Sequence, residues 1–468
     1  MKRYTKRLLT LICGAVMLCS CSNGGSSADS SADESVSSAA VSQAAESSQP
    51  DSSQADGSSK PADIETDEGI IQKVNLSIEK TKGKLAQDNS ITIDKETVGE
   101  DIAAMYDFVN ETGCYPVYKS DEIEYYIMGE FAIEPMLDEL EAAQDYIFIE
   151  YYIINEGEFW DKIFDVLKRK AAEGVEVRVI YDSIANSAKL PQDFGDKLTE
   201  SGIKYCTYAG DHRKIMVIDG RVAFTGGMNL ADEYVNYISP YGVWKDNALK
   251  IKGGAVDSFT LMFLQIWNAF YEDEDISRFL CAKQEENDSG GYIMPYSDNP
   301  NDDYLTAKSF YLTMLDNAKD YIYMATPYYM PDDEFEKAVI SAAKRGVEVK
   351  LYVPGISDYK AADMIVRTHY RALIDAGVRL FEFKKGFIHS KIFVSDDNKA
   401  IVGTVNIDNR SFIYDFECAA YLYNCPVIAD IKAEFDDNED DYVQITKDNV
   451  DDYVSAGGYI IKKLEGLL

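Results

Sequence analysis

Residues 212–229 read HRKIMVIDGRVAFTGGMN, and residues 389–406 read HSKIFVSDDNKAIVGTVN. Each string opens with a histidine, has a lysine two residues later, and continues to an aspartate and a final asparagine. The two strings align at a single offset of 177 residues. The chain has only three histidines, so two of them occupy the same local frame. A frame repeated in this way predicts two copies of one structural unit.

The duplication extends upstream of both strings. Residues 146–152 (YIFIEYY) and 321–327 (YIYMATP) are strand-like runs, and a helical stretch follows each of them. The near-identical strings GVEVRVIY at 174–181 and GVEVKLYV at 346–353 come next. A strand, a helix, a glycine stop and a second strand form a βαβ unit, whose strands are parallel and covered by helices. The sequence therefore predicts an α/β fold with two similar halves.

The first 68 residues differ from the rest of the chain. A basic start and a short apolar run end in Leu18-Cys-Ser-Cys21, which looks like a bacterial lipobox. This predicts a signal peptide over residues 1–21 and a lipid on Cys21, which would hold the protein on the extracytoplasmic face of the cell membrane. Residues 22–68 are rich in Ser, Ala and acidic residues, which predicts a disordered tether. The two halves are then expected over 69–285 and 286–468.

Charge and cysteine content limit the possible partners. The formal net charge is −35, which disfavours binding to nucleic acid because both molecules are anionic. Beyond Cys21 the chain has an odd number of cysteines, and no pair has the spacing of a metal site. The sequence therefore predicts no metal, no other cofactor and no nucleic-acid partner.

The histidines and lysines of the repeated frame suit phosphoryl chemistry. Residues two apart on a strand project from the same face, so His212 and Lys214 point together, as do His389 and Lys391. A lysine binds phosphate oxygens as a point charge, and an imidazole either attacks phosphorus or transfers a proton.

Two asparagines complete the candidate phosphate site. Asn229 and Asn406 end the repeated strings and follow glycine-containing turns, where the backbone can approach a ligand closely. Their side-chain amides can donate to the same phosphate oxygens as the lysines.

These motifs resemble the phospholipase D superfamily, which carries a His-x-Lys-x4-Asp signature. Within it, residues 212–234 look like the first motif of bacterial cardiolipin synthases, and residues 387–391 and 403–412 look like the second. The resemblance covers about residues 120–468. It implies two α/β halves with mixed sheets, packed face to face around one shared active site.

The resemblance also implies roles for individual residues. By family analogy His212 is the nucleophile that forms a covalent phosphohistidine, and His389 is the general acid and base. Asp219 and Asp396 belong to the catalytic signature and are expected to brace the motif loops. Asp246 in the first half and Glu417 in the second are expected to orient the imidazoles.

The expected reaction joins two phosphatidylglycerol molecules into cardiolipin and releases glycerol. A hydrolase that passes the phosphatidyl group to water is the alternative within the same mechanism. A nuclease is disfavoured by the acidic charge, and a binding lipoprotein with an inactive site is disfavoured by the intact motifs. Two departures from the cardiolipin-synthase pattern leave the acceptor alcohol open: a lipobox in place of transmembrane helices, and a short lead-in at 202–211.

Overall fold

The computed structural model describes residues 67–85, 98–112, 115–271, 275–280, 290–436 and 439–462. The predicted lipobox with Cys21 and the predicted tether up to residue 66 lie outside the described residues. Within the described ranges, no helix is both long enough and apolar enough to cross a bilayer.

The chain folds as alternating helices and strands. The helices of the N-terminal part are α1 (Asp67–Thr81), α2 (Glu100–Thr112), α3 (Gly129–Glu141), α4 (Glu158–Glu173), α5 (Phe194–Glu200) and α6 (Val256–Phe270). Its strands are β1 (Tyr118–Lys119), β2 (Ile123–Tyr126), β3 (Tyr146–Tyr151), β4 (Glu176–Asp182), β5 (Lys204–Tyr208), β6 (Lys214–Ile218), β7 (Val222–Gly226), β8 (Val243–Lys245) and β9 (Ala248–Lys252).

The C-terminal part has the same alternation. Its helices are α7 (Thr306–Asn317), α8 (Asp333–Lys344), α9 (Lys360–Val366), α10 (Tyr370–Ala376), α11 (Asn409–Ile413), α12 (Ile428–Asp436) and α13 (Ala456–Ile461). Its strands are β10 (Tyr292–Asp298), β11 (Tyr321–Ala325), β12 (Tyr329–Met330), β13 (Glu348–Pro354), β14 (Arg379–Phe383), β15 (Gly386–Ile388), β16 (Ile392–Ser395), β17 (Lys399–Gly403), β18 (Ile407–Asp408), β19 (Glu417–Tyr423) and β20 (Tyr442–Ile445).

The two large sheets repeat one strand order. The first is β2-β9-β7-β6-β3-β4-β5, and the second is β1-β10-β19-β17-β16-β11-β13-β14-β20. Without its edge strands β1 and β20, the second order matches the first strand by strand. In both sheets the βαβ strands are parallel and the motif strand runs antiparallel beside them. The predicted duplication and mixed α/β fold are confirmed, and β6 and β16 occupy equivalent central positions.

The glycines of the GVEV strings end helices in both halves. Gly174 has φ +98° and Gly346 has φ +97°, a left-handed conformation that glycine adopts without steric cost. After α4, the Val175 amide donates to the Lys170 carbonyl at 3.0 Å, and the chain then enters β4. Each string thus closes its helix and starts the parallel strand, as the sequence pattern predicts.

The two sheets share one apolar core. Ile215 and Val217 of β6 lie in the same buried cluster as Ile392 and Val394 of β16. Helix α6 belongs to this cluster, and every side chain from Val256 to Trp267 is buried. A helix that is buried all round is consistent with a position between two packed layers. The halves therefore pack face to face, which brings the starts of the two motif strands near each other.

Residues 98–112 and strand β1 contact the C-terminal half, although they fall inside the predicted N-terminal half. Ile102 and Met105 of α2 join the second core around Phe310, and β1 pairs with β10. The chain therefore crosses the molecule before its first βαβ unit. A two-residue edge strand has no periodic signal, so the sequence pattern could not show this crossing.

Candidate active site

Each motif is hydrogen-bonded to a segment of the opposite half. The His212 amide donates to the Phe416 carbonyl at 2.9 Å, and the Phe416 amide donates to the Gly210 carbonyl at 2.8 Å. In the other motif the His389 amide donates to the Lys245 carbonyl at 2.7 Å, where β15 and β8 run parallel. Both histidines therefore lie at the junction of the halves, just before their motif strands.

Each imidazole is bonded to a carboxylate of the opposite half. His212 Nδ1 lies 2.8 and 2.9 Å from the two carboxylate oxygens of Glu417, and His389 Nδ1 lies 2.7 Å from Asp246 Oδ2. Both carboxylates are fully buried. Both carboxylates that the resemblance indicates therefore contact an imidazole, and each contacts the histidine of the other half. The pairs cross because β8 pairs with β15 of the other half, and Phe416, just before β19, pairs with Asp211.

The motif lysines lie beside their histidines. Lys214 Nζ donates to the His212 carbonyl at 2.6 Å. Lys391 Nζ lies 3.0 Å from Nδ1 and 3.1 Å from Nε2 of His389. Both lysines are about 1% exposed, so two ammonium groups are held in a largely dehydrated site. Buried ammonium groups attract a phosphate more strongly than exposed ones.

Burial and neighbouring cations lower the pKa of both site imidazoles, whereas burial raises the pKa of Glu417. Burial, reinforced by Lys391, lowers the pKa of His389 to about 4, although Asp246 opposes the shift. The pKa of His212 falls well below its ordinary value through burial and then through charges that include Lys214, Lys391 and His389. Since Lys391 and His389 act on His212, the two motifs share one electrostatic environment. Both imidazoles are therefore neutral at pH 7 in the empty site.

The lysines titrate near neutral pH. Burial lowers the pKa of Lys391 to about 7 and that of Lys214 to about 8. Each lysine is charged below its pKa and neutral above it. As the pH rises through 7 to 8, the site loses the positive charge that binds the phosphate. We therefore expect kcat/KM, which reports titration of the free enzyme, to fall over this range.

Arginine variants test this origin of the alkaline limb. In Lys391→Arg and Lys214→Arg the guanidinium stays charged, so in a variant that retains activity the limb should move to higher pH. The measurement is the pH profile of kcat/KM with a phospholipid donor. If the alkaline limb stays at the same pH in both active variants, it arises from the titration of another group.

The signature aspartates bind backbone amides and do not contact the histidines. Both carboxylate oxygens of Asp219 accept from the amides of residues 144–146, each at 2.8 Å. Those of Asp396 accept from residues 319–321 at 3.0–3.1 Å. Each aspartate therefore fixes the end of a motif strand to the start of the neighbouring central strand, β3 or β11.

Removing one of these braces should destabilise the fold. Asp219→Ala loses three hydrogen bonds and places alanine at φ +54°, so we expect the free energy of unfolding to fall by about 2–4 kcal/mol. Asp219→Asn tolerates that backbone and should lose less. The measurement is the denaturant midpoint, with the exposed Asp375→Ala as the control. Equal midpoints for Asp219→Ala and the control would contradict the bracing role.

The two candidate phosphate-binding asparagines are buried near the same junction. Oδ1 of Asn229 accepts from the Ile153 amide at 3.0 Å, which leaves its NH2 group as a donor. The backbone amide of Asn406 donates to Ser411 Oγ at 3.2 Å. Asn406 Oδ1 is buried without a hydrogen-bond partner among the described residues. The Asn229 side chain is therefore fixed by the segment that follows β3, and the backbone at Asn406 is fixed by Ser411.

The walls beside the two histidines differ in chemistry. Three aromatic rings surround His389, with centroids 5.2 Å (Tyr234), 5.5 Å (Trp244) and 6.0 Å (Phe387) away. The centroid of the Tyr152 ring lies 4.6 Å from that of His212, and Arg410 Cζ lies 5.6 Å from the same Tyr152 centroid. The sequence analysis did not single out Tyr152, although its position just after β3, at the carboxyl end of a central strand, is a common ligand site.

Among the residues that the structure describes, one group of ligand atoms meets the distance requirement for a cation. Atoms of His212, Asp415 and Glu417 lie within 4.8 Å of one another. These carboxylates already have cationic or hydrogen-bonding partners, because Arg410 Nε lies 2.9 Å from Asp415 Oδ2 and Glu417 is bonded to His212. The charge of Lys214 also acts on both carboxylates. The donor set is therefore a poor fit to a divalent ion, and the absence of a metal remains a prediction.

Residues 136–267 and 311–438 match the family described as "Cardiolipin synthase, PLD-like domain". The chain belongs to this phospholipase D family. It is 43% identical over 341 residues to an uncharacterised protein of Streptococcus mutans, covering 70% of this chain and 74% of that protein. It is 34% identical over 337 residues to cardiolipin synthase 2 of Bacillus cereus, covering 69% of this chain and 65% of that enzyme.

A solved structure supports the phospholipase D fold. Phosphatidylserine synthase of Haemophilus influenzae Rd KW20 superposes with a TM-score of 0.60, covering 78% of this chain and 96% of that one, at 12% identity. At that identity the likeness concerns the fold. Together with the family match, these relatives place the chain among phospholipase D-type phosphatidyltransferases. It spans just under two thirds of the B. cereus enzyme, 65%, so the particular reaction is a proposal.

Proposed function

We propose that the enzyme joins two phosphatidylglycerol molecules into cardiolipin and releases glycerol. The observation that carries the proposal is the crossed pair of buried imidazole–carboxylate contacts, His212 with Glu417 and His389 with Asp246, in one electrostatic environment. Because each Nδ1 is held by a carboxylate, Nε2 is the nitrogen that each imidazole can use in the reaction, and Nε2 of His389 lies 3.1 Å from the phosphate-binding Lys391 Nζ. Two such nitrogens flanking one phosphorus suit a double displacement.

The first step forms a covalent intermediate. Nε2 of one neutral imidazole attacks phosphorus, and the bond from phosphorus to the glycerol oxygen breaks. The other imidazole, as imidazolium, gives its proton to that oxygen, and glycerol leaves. Both imidazoles are neutral in the empty site, so the phosphodiester anion must raise the basicity of one of them when it binds.

The second step passes the phosphatidyl group to the acceptor. The hydroxyl of a second phosphatidylglycerol gives its proton to the histidine that acted as acid, and its oxygen attacks phosphorus. The phosphorus–nitrogen bond breaks, which frees the nucleophilic histidine and completes cardiolipin. Lys214 and Lys391, with the amides of Asn229 and Asn406, supply positive charge and donors to the developing phosphoryl oxygens.

The product profile with a single lipid tests the proposal. The purified chain is incubated with vesicles of phosphatidylglycerol alone, and the lipids and free glycerol are quantified. Cardiolipin and glycerol should appear in equal amounts. Phosphatidic acid as the main product would instead support the hydrolase, and DNA cleavage without lipid turnover would support a nuclease.

We also propose that the enzyme is lipid-anchored on the extracytoplasmic face of the membrane. The support is the lipobox pattern ending at Cys21 and the polar segment that follows it, which would place the site beside its lipid substrate. Cys21→Ser should move the protein from the membrane fraction to the soluble fraction. A variant that stays in the membrane fraction would contradict a lipid anchor at this residue.

A further inference from the structure

The two halves repeat each other, but the residues beside their histidines do not. Arg410 and Asp415 lie next to His212 and its Tyr152 neighbour. At the offset that relates the two motifs, 177 residues, the corresponding positions are Glu233 and Ile238. The arginine–carboxylate pair therefore belongs to one side of the site only. A double displacement needs such a difference, because the alcohols enter and leave on one side of phosphorus.

Arg410 is held in a defined orientation. Its Nε lies 2.9 Å from Asp415 Oδ2, and its Nη2 donates to the Tyr152 hydroxyl at 3.2 Å. Its Cζ lies 5.6 Å from the centroid of the Tyr152 ring, whose centroid is 4.6 Å from that of His212. The guanidinium is thus fixed one ring away from the catalytic imidazole.

Part of this guanidinium remains open to a ligand. The Arg410 side chain is 28% exposed, and the contacts of its guanidinium to Asp415 and the Tyr152 hydroxyl are made by Nε and Nη2. Asp415 and Tyr152 hold the other edge, so the free donors are preorganised. A guanidinium offers two parallel donors that match the geometry of a phosphate.

We propose that Arg410 binds the phosphate of an anionic acceptor alcohol, so that the second substrate is itself a phospholipid. The inference rests on the proposed phosphatidyl transfer and names its acceptor site. In phosphatidylglycerol the reacting hydroxyl and the phosphate stand at opposite ends of a three-carbon glycerol. With that hydroxyl at the reacting phosphorus beside His212, the acceptor's own phosphate lies a glycerol length away, on the Arg410 side.

This placement assigns the two histidines. In an in-line displacement the nucleophile and the oxygen that leaves or enters lie on opposite sides of phosphorus. An alcohol held on the Arg410 side therefore exchanges its proton with His212. His389 then forms the phosphorus–nitrogen bond, which breaks as the acceptor oxygen attacks. The assignment is the reverse of the one that family analogy gives.

Competition between two soluble acceptors tests the Arg410 site. The enzyme is supplied with phosphatidylglycerol as donor and with either glycerol or glycerol 3-phosphate as acceptor. The wild type should prefer glycerol 3-phosphate. Arg410→Gln should lower kcat/KM for glycerol 3-phosphate by about tenfold to a hundredfold more than it lowers kcat/KM for glycerol. The kcat/KM of Arg410→Lys for glycerol 3-phosphate should lie between those of the wild type and Arg410→Gln, because an ammonium keeps the charge and loses the planar fork.

The controls separate this proposal from the one it rests on. Arg371→Gln removes a half-exposed surface arginine and should leave both acceptors unchanged. An equal loss with both acceptors in Arg410→Gln, or a wild type without preference for the phosphorylated acceptor, would overturn the Arg410 site and leave phosphatidyl transfer standing. A wild type that yields only phosphatidic acid would overturn the transfer itself, and the acceptor site with it.

Trapping the covalent intermediate tests the histidine assignment. A phosphatidyl ester of p-nitrophenol has a leaving group that needs no protonation, so the nucleophile alone can form the adduct. His212→Ala should accumulate a labelled phosphohistidine from this donor, whereas His389→Ala should not. An adduct that forms in His389→Ala and not in His212→Ala would restore the assignment by analogy and contradict an acceptor site at Arg410.

Discussion

Replacing either site histidine, as His212→Ala or His389→Ala, should lower the turnover of phosphatidyl transfer by about 10⁴-fold or more. One variant lacks the nucleophile, and the other lacks the group that moves the alcohol's proton. The lysine beside each histidine cannot take over either role. Lys391, beside His389, is an ammonium below pH 7 and so has no lone pair for attack. The measurement is cardiolipin formation from phosphatidylglycerol at saturating substrate.

The third histidine provides a matched control. His369 is buried, and its Nδ1 lies 2.7 Å from Glu336 Oε1, so it too forms an imidazole–carboxylate pair. Unlike the site histidines, it has no lysine two residues later in the chain. His369→Gln should retain turnover within about threefold of the wild type, allowing for a modest loss of stability. Wild-type turnover in either site variant would contradict the paired mechanism.

The second large effect is expected from the orienting carboxylates. Glu417→Gln and Asp246→Asn should each lower kcat by about 10²- to 10⁴-fold with little change in KM, because an amide neither holds the required tautomer nor stabilises the imidazolium. The exposed Asp451→Asn is the control, since its carboxylate lies on the surface beside Arg371. A kcat within threefold of the wild type in both buried variants would contradict an orienting role.

Imidazole NMR tests the crossing of these pairs. The chain has three histidines, so their ring signals can be assigned with one variant each. Glu417→Gln should shift the ring nitrogens of His212 and leave those of His389 nearly unchanged, and Asp246→Asn should do the opposite. The reverse pattern would indicate pairing within each half.

The sequence predicted the parts of the fold that leave a repeated or periodic signal. The GVEV strings at 174 and 346 predicted helix ends followed by parallel strands, and both glycines adopt the left-handed conformation. The repeated histidine frame predicted two equivalent units, and β6 and β16 occupy equivalent positions in their sheets. In these segments the structure is decided by the backbone preference and burial of a few neighbouring residues. A short string of sequence is therefore sufficient to predict it.

Contacts between the halves could not be predicted in the same way. Asp246 and Glu417 were identified by analogy, but each orients the histidine of the other half, because strand pairing across the junction brings distant segments together. The placement of α2 and β1 against the C-terminal half depends on packing around Phe310 and on a two-residue strand at a sheet edge. Such long-range contacts depend on tertiary packing, which a single sequence does not record.

The most direct test of the shared site is a crystal structure of the protein soaked with tungstate, an oxyanion with the tetrahedral shape of phosphate. The account predicts one anion between the two motifs, with Nε2 of His212 and Nε2 of His389 on opposite sides and the ammonium groups of Lys214 and Lys391 at its oxygens. Two anions in separate pockets, each held by one histidine alone, would contradict it.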